Sequence, residues 1–118
     1  MTSEPQSFDD LAQQHCKPCR GIPPVAKANA EKILTHLSGW KLQNGQISKE
    51  YKFSTYLAGL QFAFDVGQLA EKEDHHPEIL VKWRKVRLTF WTHSINGLSM
   101  NDFIMAAKVE KGYSSHAI

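Results

Sequence analysis

The sequence predicts an α+β fold in which a four-stranded antiparallel sheet carries helices packed on one face. Three features indicate it: the pair Asn44-Gly45 between two short alternating segments, a long helical period over residues 54–74, and strict alternation over residues 86–93. Asn-Gly is the preferred two-residue hairpin turn because both positions take positive φ. The predicted element order is α-β-β-α-β-β-α, and this segregation of helices and hairpins is typical of α+β domains.

The first half of the chain supplies a tail, a helix and a hairpin. Residues 1–22 are polar and aperiodic and precede a pair of prolines, so we expect a flexible N-terminal tail there. Apolar residues recur at helical spacing over residues 25–37, and Ser38-Gly39 ends that helix. The first hairpin is expected to follow, with strands over residues 40–43 and 46–53.

The long periodic segment over residues 54–74 predicts the central helix. Four apolar or small residues at helical spacing mark the face that we expect to be buried: Leu57, Leu60, Phe64 and Gly67. One further turn along the same stripe reaches Glu71 and His75. Polar chemistry is therefore expected at the C-terminal end of the buried face.

Two strands and a last helix complete the prediction. The strands are expected over residues 79–83 and 86–93, and successive side chains of a strand point to opposite faces. The apolar positions of the second strand then face the core, whereas His93 at its end faces away. Ser99, with Asp102 three residues later, indicates the start of the last helix.

Length and charge limit the classes of function. The 118 residues suffice for one domain, placed at residues 23–112 with a short C-terminal tail over residues 113–118. The net charge of +2, from 14 Lys+Arg and 12 Asp+Glu residues, is too balanced to favour a nucleic-acid partner. No segment approaches the ~20 apolar residues of a membrane span, so we expect a soluble, cytoplasmic protein with no membrane contact.

The two cysteines form a single C-x-x-C motif, Cys16 and Cys19, directly after His15. A structural zinc site needs about four protein ligands, and the chain has no second cysteine pair. A redox C-x-x-C normally lies between a strand and a helix, whereas this motif falls in the expected tail. We interpret the cysteines as two reduced thiols and assign no metal site to them.

The segment from residue 71 to residue 93 contains three of the six histidines. His75 and His76 close the long helix before Pro77, and His93 returns at the end of the next hairpin. Imidazole exchanges protons near neutral pH, so three imidazoles in one place predict acid/base chemistry. Three carboxylates could orient these rings or favour imidazolium: Glu71, Asp74 and Asp102.

The same residues allow other interpretations. His-His-Pro is also a common polar helix end, Asp102 is compatible with a capping role alone, and Trp83 and Trp91 are compatible with ordinary sheet packing. The histidines could instead bind a metal together with Glu71, although adjacent histidines usually point apart. A third interpretation is a non-enzymatic module that pairs its sheet edges with a partner chain.

The spaced pattern resembles the pterin-4a-carbinolamine dehydratases. The resemblance is carried by Glu71-x-x-x-His75-His76-Pro77, an aromatic at Trp83, the alternating strand that ends in Thr92-His93, and Gly97-Leu98 before Asn101-Asp102-Phe103. It extends over residues 40–108, and the H-C-x-x-C segment looks more like bacterial members. The family has the α+β architecture predicted above, and its members assemble into dimers or tetramers.

The resemblance implies a substrate and a mechanism. The substrate is a 4a-hydroxytetrahydropterin, formed when aromatic amino-acid hydroxylases consume tetrahydropterin, and loss of water gives quinonoid dihydropterin. The pterin is itself the substrate, so no metal or organic cofactor is implied, and the expected partners are a second copy of the chain and functional coupling to a hydroxylase.

The resemblance also assigns roles to residues of this chain. His75 and His93 are the expected acid/base pair, and His76 binds substrate and is a further candidate base. The supporting carboxylates are Glu71, Asp74 and Asp102, and the expected substrate-binding residues are Pro77, Trp83, Trp91 and Thr92.

The chain departs from the animal members of this family at two positions. It has Trp83 where those carry tyrosine, which keeps an aromatic wall but changes its hydrogen bonding. It has Asn101 where those carry arginine, which removes a cation that could contact the pterin. Animal members also serve as dimerisation cofactors of a transcription factor, and nothing in the sequence supports that role here.

Overall fold

The computed structural model describes residues 7–18 and 20–113 and contains the predicted four-stranded antiparallel sheet. The strands are β1 (Lys41–Gln43), β2 (Gln46–Lys52), β3 (Glu78–Lys82) and β4 (Lys85–Phe90), in the spatial order β1-β2-β4-β3. The α-helices are α1 (Phe8–Gln13), α2 (Lys27–Leu34), α3 (Tyr56–Glu73) and α4 (Met100–Tyr113). The predicted α+β class is confirmed, and α1 is an additional element that the sequence analysis did not predict.

The prediction of a flexible tail over residues 1–22 is wrong for much of the segment that the structure describes. Ser7 caps α1 by accepting a hydrogen bond from the Asp10 N–H (3.1 Å). Leu11 is completely buried, because α1 packs against α4. A six-residue helix with only two buried side chains shows no clear periodicity, so its apolar partner on α4 could not be recognised from the local sequence.

The first hairpin has the predicted register. Gln43 pairs with Gln46 across Asn44-Gly45, whose φ angles are 53° and 72°. These are the positive values that favour Asn-Gly in two-residue turns. β2 then pairs with β4, and the completely buried residues of both strands lie on the face that the helices cover.

α3 buries a different stripe from the predicted one. Three of the four residues expected to be buried are exposed, and Gly67 is half-buried. The exposed ones are Leu57, Leu60 and Phe64. The buried residues are Gly59, Phe62, Val66 and Ala70. Both stripes have helical spacing, so periodicity does not choose between them, but the buried one carries small residues that permit close contact with the sheet. A Cβ atom at Gly59 would lie 3.4 Å from the Val86 side chain.

β4 ends at Phe90, short of the predicted end at residue 93. Beyond it, Thr92 and Gly97 form an isolated bridge, and His93–Ile95 forms a single 3-10 turn. α4 follows and is buried around most of its circumference, because α1 and α3 both pack against it. Tyr113 still belongs to α4, and the remainder of the predicted C-terminal tail lies outside the described residues. Within the described ranges, no helix is both long enough and apolar enough to cross a membrane.

Candidate active site

The end of α3 positions the first histidine of the predicted cluster. Asp74 takes a left-handed backbone conformation with φ of 52°, and the N–H groups of Asp74 and His75 both donate to the Ala70 carbonyl. The His75 ring lies parallel to the Phe90 ring, with 6.3 Å between the centroids. Its Nε2 lies 2.6 Å from Oδ1 of Asp102. The termination of α3 therefore directs His75 towards the protein interior.

Asp102 lies in the first turn of α4 and is completely buried. Its Oδ1 contacts His75, and its Oδ2 accepts hydrogen bonds from the Thr92 hydroxyl (2.8 Å) and the Ser99 N–H (2.9 Å). A buried carboxylate is tolerated only where it is paired and hydrogen-bonded. Asp102 is therefore both the cap of α4 and the group that fixes the His75 ring, so the two interpretations of this residue are compatible.

His76 has a carboxylate partner different from that of His75. Its Nε2 lies 2.5 Å from Oε2 of Glu71, and the two side chains are 52% and 77% exposed. The prediction that Glu71 lies beside His75 is wrong, because the left-handed conformation of Asp74 ends the helical period before residue 75. The corresponding exposures for His75 and Asp102 are 11% and 0%.

His93 lies in the 3-10 turn after β4 and not at a strand end as predicted. Its ring contacts the Trp91 ring, with 4.2 Å between the centroids and 34° between the planes. Thr92, between these two residues, is buried and donates to Asp102. The departure of the chain from the sheet thus places His93 and Trp91 together on one surface.

Most of the predicted site residues line one open cavity of about 660 Å³. Six of them line it: Asp74, His75, His76, Trp91, Thr92 and His93. Asp102 is bonded to the His75 ring and is not itself in the lining, and Glu71 lies beside His76 on the exposed surface. The structure therefore brings the three histidines to one cavity, each in a different environment.

Two residues expected to bind substrate, Trp83 and Pro77, do not line the cavity. Trp83 is 71% exposed in the β3–β4 turn, and the Arg84 guanidinium lies 4.3 Å from the centroid of its ring. The five residues of β3 separate this turn from the histidine end of the hairpin, about 16 Å at the usual strand rise. Pro77 lies in the connection between α3 and β3 and does not belong to the cavity lining.

One wall of the cavity was not predicted from the sequence. Four residues of the expected tail contribute to its lining: Cys16, Lys17, Pro18 and Arg20. Asn101, which was noted only for the arginine it replaces, also lines the cavity, and its Nδ2 donates to the Lys17 carbonyl. Cys16 is a free cysteine, but its expected placement on a flexible tail is wrong, because its N–H donates to Glu73. Cys19 lies outside the described residues.

Glu73, the last residue of α3, was also missed. Its side chain is only 5% exposed and accepts hydrogen bonds from the Cys16 N–H and from Nδ1 of His15, both at 2.9 Å. Burial raises the pKa of Glu73, but these two donors and the charge of Lys108 outweigh it and hold the pKa below its ordinary value. No local pattern joins residues 16 and 73, so only the unusual H-C-x-x-C segment hinted that this part of the chain carries polar contacts.

The described residues offer no obvious metal centre. In the ranges 7–18 and 20–113, no group of three or more His, Cys, Asp or Glu side chains is arranged to hold a metal ion. The adjacent histidines do not share a ligand, since His75 contacts Asp102 and His76 contacts Glu71.

Comparison with known protein families gives a match over most of the chain. A family described as pterin 4 alpha carbinolamine dehydratase matches residues 23–112. That range contains the three histidines and the carboxylate partners of His75 and His76, but it begins after the wall formed by residues 16–18 and 20.

Individual proteins show the same similarity. A protein of Methylococcus capsulatus, provisionally named a pterin-4-alpha-carbinolamine dehydratase, is 44% identical over 104 residues, which cover 86% of this chain and 91% of that protein. One of Alkaliphilus metalliredigens with the same provisional name is 41% identical over 110 residues, covering 91% of this chain and 99% of the relative. The crystal structure of a transcriptional coactivator/pterin dehydratase from Brucella melitensis is similar with a TM-score of 0.71 and 30% identity, covering 75% of this chain and 96% of that one.

Proposed function

The chain belongs to the pterin 4 alpha carbinolamine dehydratase family, and from this premise we propose that it removes water from a 4a-hydroxytetrahydropterin. The bond between C4a and the hydroxyl oxygen breaks, and the hydroxyl leaves as water after accepting a proton. N5 loses its proton, and its electron pair forms the C4a=N5 bond of quinonoid dihydropterin. The reaction is redox-neutral and needs one proton donor and one proton acceptor.

The buried pair of His75 and Asp102 is the observation that carries this proposal. Because Asp102 engages Nε2 of His75, Nδ1 is the ring atom that we assign to proton exchange with the substrate. A carboxylate in this position fixes the ring and stabilises the imidazolium that forms when the ring gains a proton. The contacts of Asp102 with Thr92 and Ser99 keep that carboxylate in place.

The other two histidines complete the proposed division of roles. We assign His93 as the partner of His75 in acid/base catalysis and His76 as a substrate-binding residue and second candidate base. The contacting rings of Trp91 and His93 offer an aromatic surface to a flat heterocycle such as a pterin. His93→Ala should therefore lower kcat, whereas turnover at the wild-type rate would remove His93 from the acid/base pair.

We further propose that the reaction uses neither a metal ion nor an organic cofactor. Imidazoles supply both proton-transfer functions, and the pterin supplies the leaving group and the electron pair. The separate engagement of His75 and His76 by Asp102 and Glu71 supports this, because neither ring needs a metal to orient it.

The test is the rate of carbinolamine dehydration with purified protein in metal-free buffer, followed by the absorbance of the quinonoid product. We expect acceleration that a chelator does not abolish. Activity that is lost on chelation and restored by zinc would establish the metalloenzyme instead. If dehydration is no faster than in buffer, and His75→Ala changes no measurable property, the interaction-module interpretation is favoured.

We also propose that the chain acts as a homodimer or tetramer. The exposed apolar stripe of α3, formed by Leu57, Leu60 and Phe64, is one surface that a second copy could cover. The edge strand β3 is another, because Ile79 and Leu80 are exposed on it. Light scattering after size exclusion should show an oligomer that Phe64→Glu or Leu80→Lys dissociates, and a monomeric wild-type protein would contradict the proposal.

The proposed reaction places the protein after an aromatic amino-acid hydroxylase, whose chemistry produces the carbinolamine. Added to such a hydroxylase with limiting tetrahydropterin, the protein should suppress accumulation of the carbinolamine. Unchanged accumulation, despite activity on the isolated carbinolamine, would argue against this coupling.

A further inference from the structure

Residues 15–18, which we call the strap, cross from α1 to the cavity and are held at several points. Upstream of the strap, α1 is anchored on α4 by the buried Leu11 and by Lys108, whose Nζ donates to the Ala12 carbonyl (2.9 Å). The strap itself lacks helix or strand hydrogen bonding. Its position therefore depends on contacts with side chains of α3 and α4.

Asn101 of α4 binds the strap backbone from one side. Its Oδ1 accepts a hydrogen bond from the Lys17 N–H (2.9 Å), and its Nδ2 donates to the Lys17 carbonyl (2.5 Å). One side-chain amide thus satisfies both polar groups of a single residue, much as a neighbouring β-strand would. The next residue on α4 is Asp102, which contacts His75. The same turn of α4 therefore positions both the strap and this histidine.

Glu73 of α3 binds the strap from the other side. Its two carboxylate oxygens accept from the Cys16 N–H and from His15, and its side chain is almost completely buried. Glu73 lies two residues before His75, so the helix end that positions the histidine also positions the strap. A carboxylate accepting from a backbone N–H is a strong, charge-assisted interaction.

The strap faces the same cavity as the three histidines. Cys16, Lys17 and Pro18 line it, as does Arg20 beyond the strap. The strap is fixed by the Glu73 carboxylate and by two hydrogen bonds to the Asn101 amide. It presents a proline and a lysine to the cavity. A fixed surface with apolar and charged groups has the properties of a ligand-binding wall. His15, the imidazole of the strap, is exposed and engaged by Glu73.

We propose that the strap is a substrate-binding wall of the dehydratase site and that Glu73 and Asn101 are its positioning residues. The inference rests on the proposed function, because it gives the same cavity a further binding element. The strap contacts the pterin in both the ground state and the transition state. Loss of such contacts raises KM and leaves kcat nearly unchanged, whereas loss of an acid/base histidine lowers kcat.

The first test compares steady-state kinetics of Glu73→Ala, Glu73→Gln and Asn101→Ala with wild type. Removing a strong hydrogen-bond acceptor should raise KM about five- to tenfold in Glu73→Ala and Asn101→Ala, with kcat within about twofold. Glu73→Gln retains an acceptor for the Cys16 N–H and should recover part of the loss. Asp65→Asn, a carboxylate change at a half-buried residue of α3 that accepts from Gln61 Nε2, is the matched control and should leave both constants unchanged.

The second test does not depend on turnover. In a Cys19→Ser variant, Cys16 is the only thiol, and it lies in the cavity lining. A stable dihydropterin should slow alkylation of Cys16 by iodoacetamide several-fold, and Glu73→Ala should weaken this protection.

The outcomes separate the two proposals. An active wild-type enzyme whose KM is unchanged in Glu73→Ala and Asn101→Ala, with no pterin protection of Cys16, overturns the strap inference alone. A wild-type protein without dehydratase activity overturns the proposed function, and Cys16 protection would then still report a pterin bound against the strap.

Discussion

His75 and His76 are neighbours in the chain, and each lies against a carboxylate at almost the same distance, yet the two pairs differ in environment. The His75–Asp102 pair is buried between α3 and α4 at 2.6 Å. The His76–Glu71 pair lies on the surface at 2.5 Å, with more than half of each side chain in water. Distance alone therefore does not determine what a histidine–carboxylate pair does.

The difference follows from solvation. Two charges near a protein surface interact weakly, because water screens them and because long side chains lose entropy when held together. In a buried pair the two charges interact more strongly. Removing one of them leaves an unpaired buried charge, which destabilises the folded protein. Asp102 is further held by Thr92 and Ser99, whereas Glu71 is an exposed carboxylate on the last turns of α3. The buried carboxylate can therefore hold its imidazole ring in one orientation, whereas the exposed carboxylate interacts with its ring only weakly.

The largest expected effect is on turnover when the buried histidine is removed. His75→Ala should lower kcat by about 10² to 10⁴, the usual contribution of general acid/base catalysis. His76→Ala should mainly raise KM, because its ring lies on the exposed side of the cavity. Steady-state kinetics of both variants measure the contrast. Equal losses of kcat would show that burial does not separate the roles of the two histidines.

The second effect is on folding stability. Asp102→Ala leaves the Thr92 hydroxyl, the Ser99 N–H and the His75 ring without their buried acceptor, so we expect a loss of about 3–5 kcal/mol in the free energy of unfolding. Asp102→Asn keeps one carbonyl oxygen and should lose less stability but still lower kcat. Urea unfolding followed by circular dichroism gives the first quantity. A change below about 1 kcal/mol in Asp102→Ala would mean that the network is not a buried support.

The sequence was sufficient for the sheet and its hairpins because these depend on local signals. Asn44-Gly45 fixes the first turn, and alternation fixes the inward face of β4. The buried side of α3 was not predictable in the same way, because apolar residues occur at helical spacing on both of its sides. α1 was missed because its stability comes from α4, nearly a hundred positions later in the chain.

The candidate site shows the same division between local and distant information. The motif located the three histidines, but the partner of His75 is 27 positions away and the partner of Cys16 is 57 away, and no periodicity connects such positions. Assigning Glu71 to His75 assumed an unbroken helix through residue 74. The left-handed conformation of Asp74 breaks it, so helical spacing no longer places His75 beside Glu71, and His76 contacts Glu71 instead.

A third histidine–carboxylate pair, His15 with Glu73, sharpens the comparison through its pH dependence. Its carboxylate is buried and its histidine is exposed. The pKa of Glu73 is lowered on folding by the Cys16 N–H, His15 and Lys108, against the effect of burial. The stabilisation it gives the strap is therefore complete above the ordinary value of 4.5 and is lost as pH falls through the lower folded pKa.

NMR of the Cys16 amide measures this effect directly. Glu73 stays ionised over the mildly acidic range, so its contribution to the Cys16 amide shift should be constant there. The amide resonance should move with Glu73 only below about pH 4.5. In Glu73→Gln this acid shift should be absent. A Cys16 amide that shifts identically in both proteins would show that the strap responds to some other group.

The smallest expected effect belongs to Glu71. Since this carboxylate contacts the exposed His76 and not His75, Glu71→Gln should change kcat and KM by less than about fivefold, the range typical of exposed ion pairs. A double-mutant cycle with His76→Ala isolates the interaction, because the effect of Glu71→Gln should nearly vanish once His76 is gone. A parallel cycle of Glu71→Gln with His75→Ala should give additive losses. Strong coupling to His75 would mean that the two histidines act as one unit, in which case the buried and exposed pairs are not independent.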